Sequence, residues 1–210
     1  MKVGLDATPL IGPRTGIGRY VEGLVDGLSL LAEPPQLVLV PFTWRGFGDL
    51  PVVPRAATLT DTPQPLRRGR RFPARALHAL WSRVDWPPVE VLSGSLDVFH
   101  ATNFVLPPTR RAAGVVTIHD LSYLRHADTV SAATLRYREL VPRGLARARA
   151  VVADTQTVGD EIAAEYGVGA DRLVVAPLGL SATWLSPPRP YDARELHDRG
   201  WPERFVLFVG

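Results

Sequence analysis

Short runs of Val, Leu and Ile recur along the chain, each followed by a stretch whose apolar residues fall at helical spacing. This alternation limits the fold more than any other feature. The runs are "KVGLD" (2–6), "QLVLVPF" (36–42), "ATLT" (57–60), "DVFHA" (97–101), "GVVTIH" (114–119), "AVVADT" (150–155) and "RLVVAP" (172–177). They are apolar almost throughout rather than at every second residue, which suits strands covered on both faces. The pattern therefore predicts an α/β fold, a Rossmann-like doubly wound parallel sheet with helices on both faces. Ile17, Val21, Leu24, Leu28 and Leu31 mark a first helix, and Phe72, Ala76, Leu77, Leu80, Trp81 and Val84 a second over 72–84. A third is expected over 131–149, bent or broken at Pro142 and Gly144. A fourth takes Thr157 as its N-cap and Gly167 as its stop.

A chain of 210 residues can bury a core of this kind without staples. It contains no cysteine, which excludes a disulfide framework, a zinc–thiolate site and a thiol nucleophile. The net charge of +3 is modest, and nucleic-acid binding is not expected without basic and aromatic residues gathered on one face. The one basic run is "RRGRR", ahead of the second helix. Its ordinary reading is a solvated face; the alternative is a weak contact with an anionic membrane surface through Arg67, Arg68, Arg70 and Arg71. No basic-then-apolar leader opens the chain and no apolar run approaches a membrane span, so the expected location is cytoplasmic, at most peripheral to the inner face of the plasma membrane. The Pro-rich "GLSATWLSPPRP" (179–190) reads as a linker. One domain is expected over 1–190, with a short helix and a buried strand, "RFVLFVG" (204–210), over 191–210 as the opening of a second domain. The alternative places that strand in the first sheet.

In open parallel sheets, ligands gather at the carboxyl ends of the strands, where helix N-termini present unpaired N–H groups. The residues at those ends are Asp6 to Pro9, then Thr102-Asn103-Phe104, then His119-Asp120-Leu121-Ser122-Tyr123, then Thr155-Gln156-Thr157. After the first of them, Gly16-Ile17-Gly18-Arg19 enters the first helix. The dinucleotide fingerprint fails there, because its third glycine position is Val21. Two readings stay open: an anion-facing loop at a helix start, or plain geometry, with Gly16 at positive φ and Gly18 letting the helix approach the sheet. His119 at a strand end is suited to donating a hydrogen bond or exchanging a proton. Asp120 either orients its ring or caps the following turn, since adjacent strand residues point to opposite faces. His100 lies at the neighbouring strand end, but no third ligand stands at a recognisable metal spacing. The serine-hydrolase elbow G-x-S-x-G is absent.

With these positions in view, the chain resembles the N-terminal, acceptor-side domain of family 4 retaining glycosyltransferases of the GT-B fold, particularly bacterial mannosyl- and rhamnosyl-type enzymes of polysaccharide synthesis. The matching stretches are "GLDATPLIGPRTGIGRYVEGLVDGL", "DVFHATNFVLPP", "VVTIHDLSYLRHAD", "LARARAVVADTQTVGDEIAAEYGVGADRLVVAPLGL" and "RFVLFVG", while residues 43–92 match least. The resemblance implies that Gly16, Ile17, Gly18 and Arg19 form the loop facing the donor diphosphate, and that His119, with Asp120, stands at the transferred sugar. It implies that Asn103, Tyr123 and Thr155 surround the acceptor. A nucleotide-sugar would be co-substrate, a glycan or lipid-linked molecule the acceptor, and no metal or other cofactor would be needed. Most donor contacts, including a basic pair on the diphosphate, would belong to a C-terminal domain, so the 210-residue chain alone is expected to be inactive. The alternative is a non-catalytic binding or scaffold module of the same fold for a phosphorylated or glycan ligand.

Overall fold

A computed structural model describes residues 1–13, 15–43, 67–68, 74–180, 189–202, 204–206 and 208. Seven parallel strands form one sheet in the order β3-β2-β1-β4-β5-β6-β7. They are β1 (Lys2–Asp6), β2 (Gln36–Val40), β3 (Arg67–Arg68), β4 (Val98–Ala101), β5 (Ala113–Ile118), β6 (Ala150–Ala153) and β7 (Leu173–Val175). The chain works outward from β1 through β2 to β3, then returns to lay β4 on the other side of β1. That reversal makes β1 and β4 the point where the strand order changes direction, and open α/β sheets bind ligands beyond the carboxyl ends of the strands at such a point.

Successive residues of a strand face opposite sides of the sheet, and the apolar residues sort accordingly. Val3 and Leu5 of β1 join Leu37 and Leu39 of β2 in a small cluster closed by Val21 and Val25 of α1 (Gly16–Ser29). Val38, Val40, Phe99, Ala101, Val116, Ile118, Val151 and Ala153 face the other way into a larger cluster. Helices α2 (Ala74–Trp81), α3 (Glu90–Ser93), α6 (Tyr137–Arg147) and α7 (Gln156–Tyr166) contribute Trp81, Leu92, Leu140, Leu145 and Ile162 to it. Two single-turn helices, α4 (Ser122–Arg125) and α5 (Ala132–Leu135), precede α6.

Three helix boundaries differ from the expectation: the second helix ends at Trp81 rather than at 84, which leaves Val84 outside it and exposed. The predicted helix over 131–149 does not break at Pro142, which lies inside α6; the interruption comes at Arg136, between α5 and α6. Gly144 serves packing there, because a Cβ on it would stand 3.2 Å from Leu106 Cβ. The N-cap of α7 is Thr155 rather than Thr157: its hydroxyl accepts the Val158 N–H at 3.2 Å. Gly167 ends that helix in the left-handed region at φ 64°, as its position predicts.

Residues Gly179–Gly210 form a separate compact unit. Its helix α8 (Ala193–Asp198) begins with a reciprocal capping box between Asp192 and Glu195. Among the described residues of the closing run none joins a ladder, and Val206 and Phe208 are 97% and 89% exposed rather than buried. A strand needs a paired neighbour to satisfy its backbone, and none of the six strand pairings includes a described residue of this run. The expected strand at 57–60 and residues Arg70 and Arg71 lie outside the described residues, as do the side chains of Arg67 and Arg68.

Candidate functional site

The polar strand ends meet beyond the carboxyl ends of β1 and β4. Thr102, after β4, donates its hydroxyl to the Asp6 carbonyl oxygen at 2.8 Å and so ties β1 to β4 where the chain reverses. Thr8 donates its N–H to Asp6 Oδ1 at 2.9 Å, and its hydroxyl accepts the Phe42 N–H at 2.9 Å, which draws in the end of β2. The Asp6 carboxyl is buried, and burial raises it from its ordinary 3.8 to about 6 against the lowering effect of Thr8.

His119 follows β5 by one residue. Its Nδ1 lies 2.7 Å from Asp154 Oδ2 and its Nε2 lies 3.0 Å from the Thr102 carbonyl oxygen. The sheet register explains the meeting: Ile118 pairs with Ala153, so the next residues on each strand are His119 and Asp154. The carboxylate facing the ring is therefore Asp154, which sequence reasoning did not single out. Asp120 takes the turn-capping alternative and accepts the Ser122 N–H at 2.8 Å from an exposed position. The missed signal was an acidic residue directly after a strand next to β5, legible only once the strand order is known.

Aromatic rings enclose His119. Tyr20 of α1 meets it edge-on with centroids 5.2 Å apart, and Phe104 does so at 5.7 Å. Phe104 is the centre of a tight three-residue turn, in which the Val105 N–H donates to the Asn103 carbonyl at 2.7 Å. Its φ of 59° is a conformation a bulky side chain seldom adopts. The ring is held by stacking on Tyr137 with centroids 4.8 Å apart. Asn103 Oδ1 is buried with no partner among the described residues. Tyr123 is not placed to touch an acceptor. It is 0% exposed, with its hydroxyl 2.9 Å from that of Tyr166, so it forms the floor beneath the site. Thr155 is exposed, and its hydroxyl is engaged as the α7 cap.

His100 points to the α1 side of the sheet, where its Nε2 lies 2.8 Å from Thr117 Oγ1, and Thr117 lies 2.9 Å from the Tyr20 hydroxyl. Burial lowers the His100 imidazole from 6.5 to about 4, helped by the nearby His119. Among the described residues no group of three or more His, Cys, Asp or Glu side chains is arranged to hold a metal ion.

The glycine pair divides its work differently from the geometric expectation. Gly16 is the first residue of α1, does not have positive φ, and has nothing within 4 Å of where a Cβ would stand. Gly18 is the close approach, although its neighbour is the turn after β1 rather than the sheet. A Cβ there would stand 2.8 Å from the Pro9 carbonyl oxygen. Thr15 caps the helix by accepting the Gly18 N–H at 3.2 Å, and the N–H groups of Gly16 and Ile17 have no intrahelical acceptor. Exposed Arg19 follows them. In urea unfolding, Gly18→Ala should lose about 1–3 kcal/mol because the opposing atom is backbone. Gly16→Ala should be neutral or gain up to about 1 kcal/mol.

A family model described as "Glycosyl transferase 4-like domain" matches residues 15–179. The chain belongs to this glycosyl transferase 4-like family. The O-antigen chain mannosyltransferase B of Escherichia coli is 25% identical over 226 residues, covering 100% of this chain and 56% of that protein. The chain thus spans little more than half of that relative's length. Within the glycosyl transferase 4-like match lie α1, His119, its clamp from Asp154 and Thr102, and the aromatic cluster, whereas Asp6 and Thr8 precede it. No helix among the described residues is long and apolar enough to cross a membrane.

Proposed function

We propose that this chain is the acceptor-side half of a retaining glycosyltransferase that moves a sugar from a nucleotide-sugar to a glycan or lipid-linked acceptor in cell-surface polysaccharide synthesis. The supporting observation is the placement of His119, held at the carboxyl edge of the sheet beside the first turns of α1, which Tyr20 links to it. A helix start with unpaired N–H groups suits the anionic diphosphate of a donor, and acceptor groups such as Asn103 Oδ1 suit the hydroxyls of a sugar. Family membership and the mannosyltransferase named above favour glycosyl transfer over other chemistry on this fold. The further part of the proposal is that a second domain supplies the cationic groups for the leaving diphosphate, and that residues 1–210 alone do not turn over.

The test is a transfer assay with a protein containing this chain and the remaining length of its relative, offered labelled nucleotide-sugars and a lipid-linked glycan. The expected result is a glycosylated product of retained anomeric configuration, with turnover in His119→Ala reduced to about a tenth or less. Capture of a glycan without transfer from any donor would overturn the proposal in favour of a binding module.

A further inference from the structure

We infer that Asp154 is the positioning residue of His119, and that together with the Thr102 carbonyl it holds the imidazole with a proton on each ring nitrogen. The two atoms facing the ring nitrogens, Asp154 Oδ2 at 2.7 Å and the Thr102 carbonyl oxygen at 3.0 Å, are both acceptors. A ring with one proton would leave one of these contacts as a lone pair against a lone pair, and both side chains are only 12% exposed, where water screens such a contact weakly. The other carboxylate oxygen, Asp154 Oδ1, is buried without a partner among the described residues, so the ring is what compensates this carboxylate.

The remaining groups around the ring do not replace either bond. His100 on β4 is engaged with Thr117, and the Tyr20 hydroxyl on α1 shares that same threonine. Asp120, next in the chain, is turned to Ser122, and Phe104 covers the ring with its edge. Anchored at both nitrogens, the imidazole cannot flip about its Cβ–Cγ bond without breaking both contacts. A ring that already carries two N–H protons also accepts no third, so His119 acts here through position and charge rather than as a base. Its relevance to catalysis rests on the proposed sugar-transfer role; the protonation state does not.

The experiment labels the histidines of this chain with nitrogen-15 and records long-range proton–nitrogen correlations of the ring nitrogens at pH 7, identifying His119 by its loss in His119→Gln. The expected wild-type spectrum shows both His119 nitrogens protonated. Asp154→Asn, which keeps the shape and removes the charge, should show one bare nitrogen. A bare nitrogen in the wild type overturns the inference, as does an unchanged ring in Asp154→Asn; should that variant not fold, the wild-type spectrum decides alone. In the complete enzyme, Asp154→Asn should lower kcat by about tenfold or more with KM within about twofold, and a change confined to KM would also overturn the positioning role. A wild-type protein without transferase activity would remove the proposed function and leave the ring assignment intact. A bare nitrogen in an active enzyme would remove this inference alone.

Discussion

Phe104→Ala should cost about 3–5 kcal/mol of folding stability, the loss expected for a buried aromatic ring. The ring is 6% exposed, stacks on Tyr137, and stands edge-on to both Tyr123 and His119. Alanine would remove these contacts and retain a side chain in the left-handed region at φ 59°. Phe104→Gly separates the two effects. At an ordinary position glycine is less stable than alanine by about 0.5–1 kcal/mol; here relief of the backbone should cancel or reverse that difference. Urea unfolding of the two variants decides the matter. A glycine variant weaker than the alanine variant by the usual margin would mean that the turn at Asn103–Val105 stores no strain.

Asp6→Asn should make the protein more stable at neutral pH. Burial raises the Asp6 carboxyl from 3.8 to about 6, so the folded state holds this proton more tightly than the unfolded chain does. Stability from this group is therefore greatest below pH 3.8, falls between there and about 6, and stays low above that range. At about 1.4 kcal/mol per pH unit, the ionised carboxylate costs about 3 kcal/mol at pH 7. Asparagine keeps an oxygen for the Thr8 N–H and hydroxyl without carrying a charge. The advantage of Asp6→Asn should shrink to nothing as pH drops below about 4. Denaturation midpoints of wild type and variant that run parallel from pH 4 to pH 7 would show that the carboxyl is not raised.

The strands were legible because burial on both faces leaves long apolar words, and six of the seven runs read from the sequence coincide with strands. The seventh, at 57–60, lies outside the described residues. His119 was legible for the same reason: it ends such a word. Its partner was not. His119 and Asp154 are 35 positions apart, and nothing local to either shows that β5 and β6 are neighbours in this register. Asp120 attracted the role through adjacency in the chain, whereas the extended backbone turns it away to its own turn at Ser122. Tyr123 shows the complementary failure. A tyrosine next to a strand end suggests a polar contact, yet the chain folds back through α4 and buries it against Tyr166. Pro142 inside α6 shows tertiary packing overriding a propensity that would end an isolated helix.

The division of the apolar residues into two clusters by the sheet has a consequence for how substitutions combine. Changes at Val21 or Val25 beneath α1 and changes at Trp81 or Leu92 on the opposite side share no contacts across the strands, so their effects should simply add. His119 is where that independence ends. Tyr20 reaches its ring from the α1 side and Phe104 from the other, so this one imidazole registers disturbances in either half of the interior. Epistasis between residues on opposite sides of the sheet is to be looked for in the ring's surroundings.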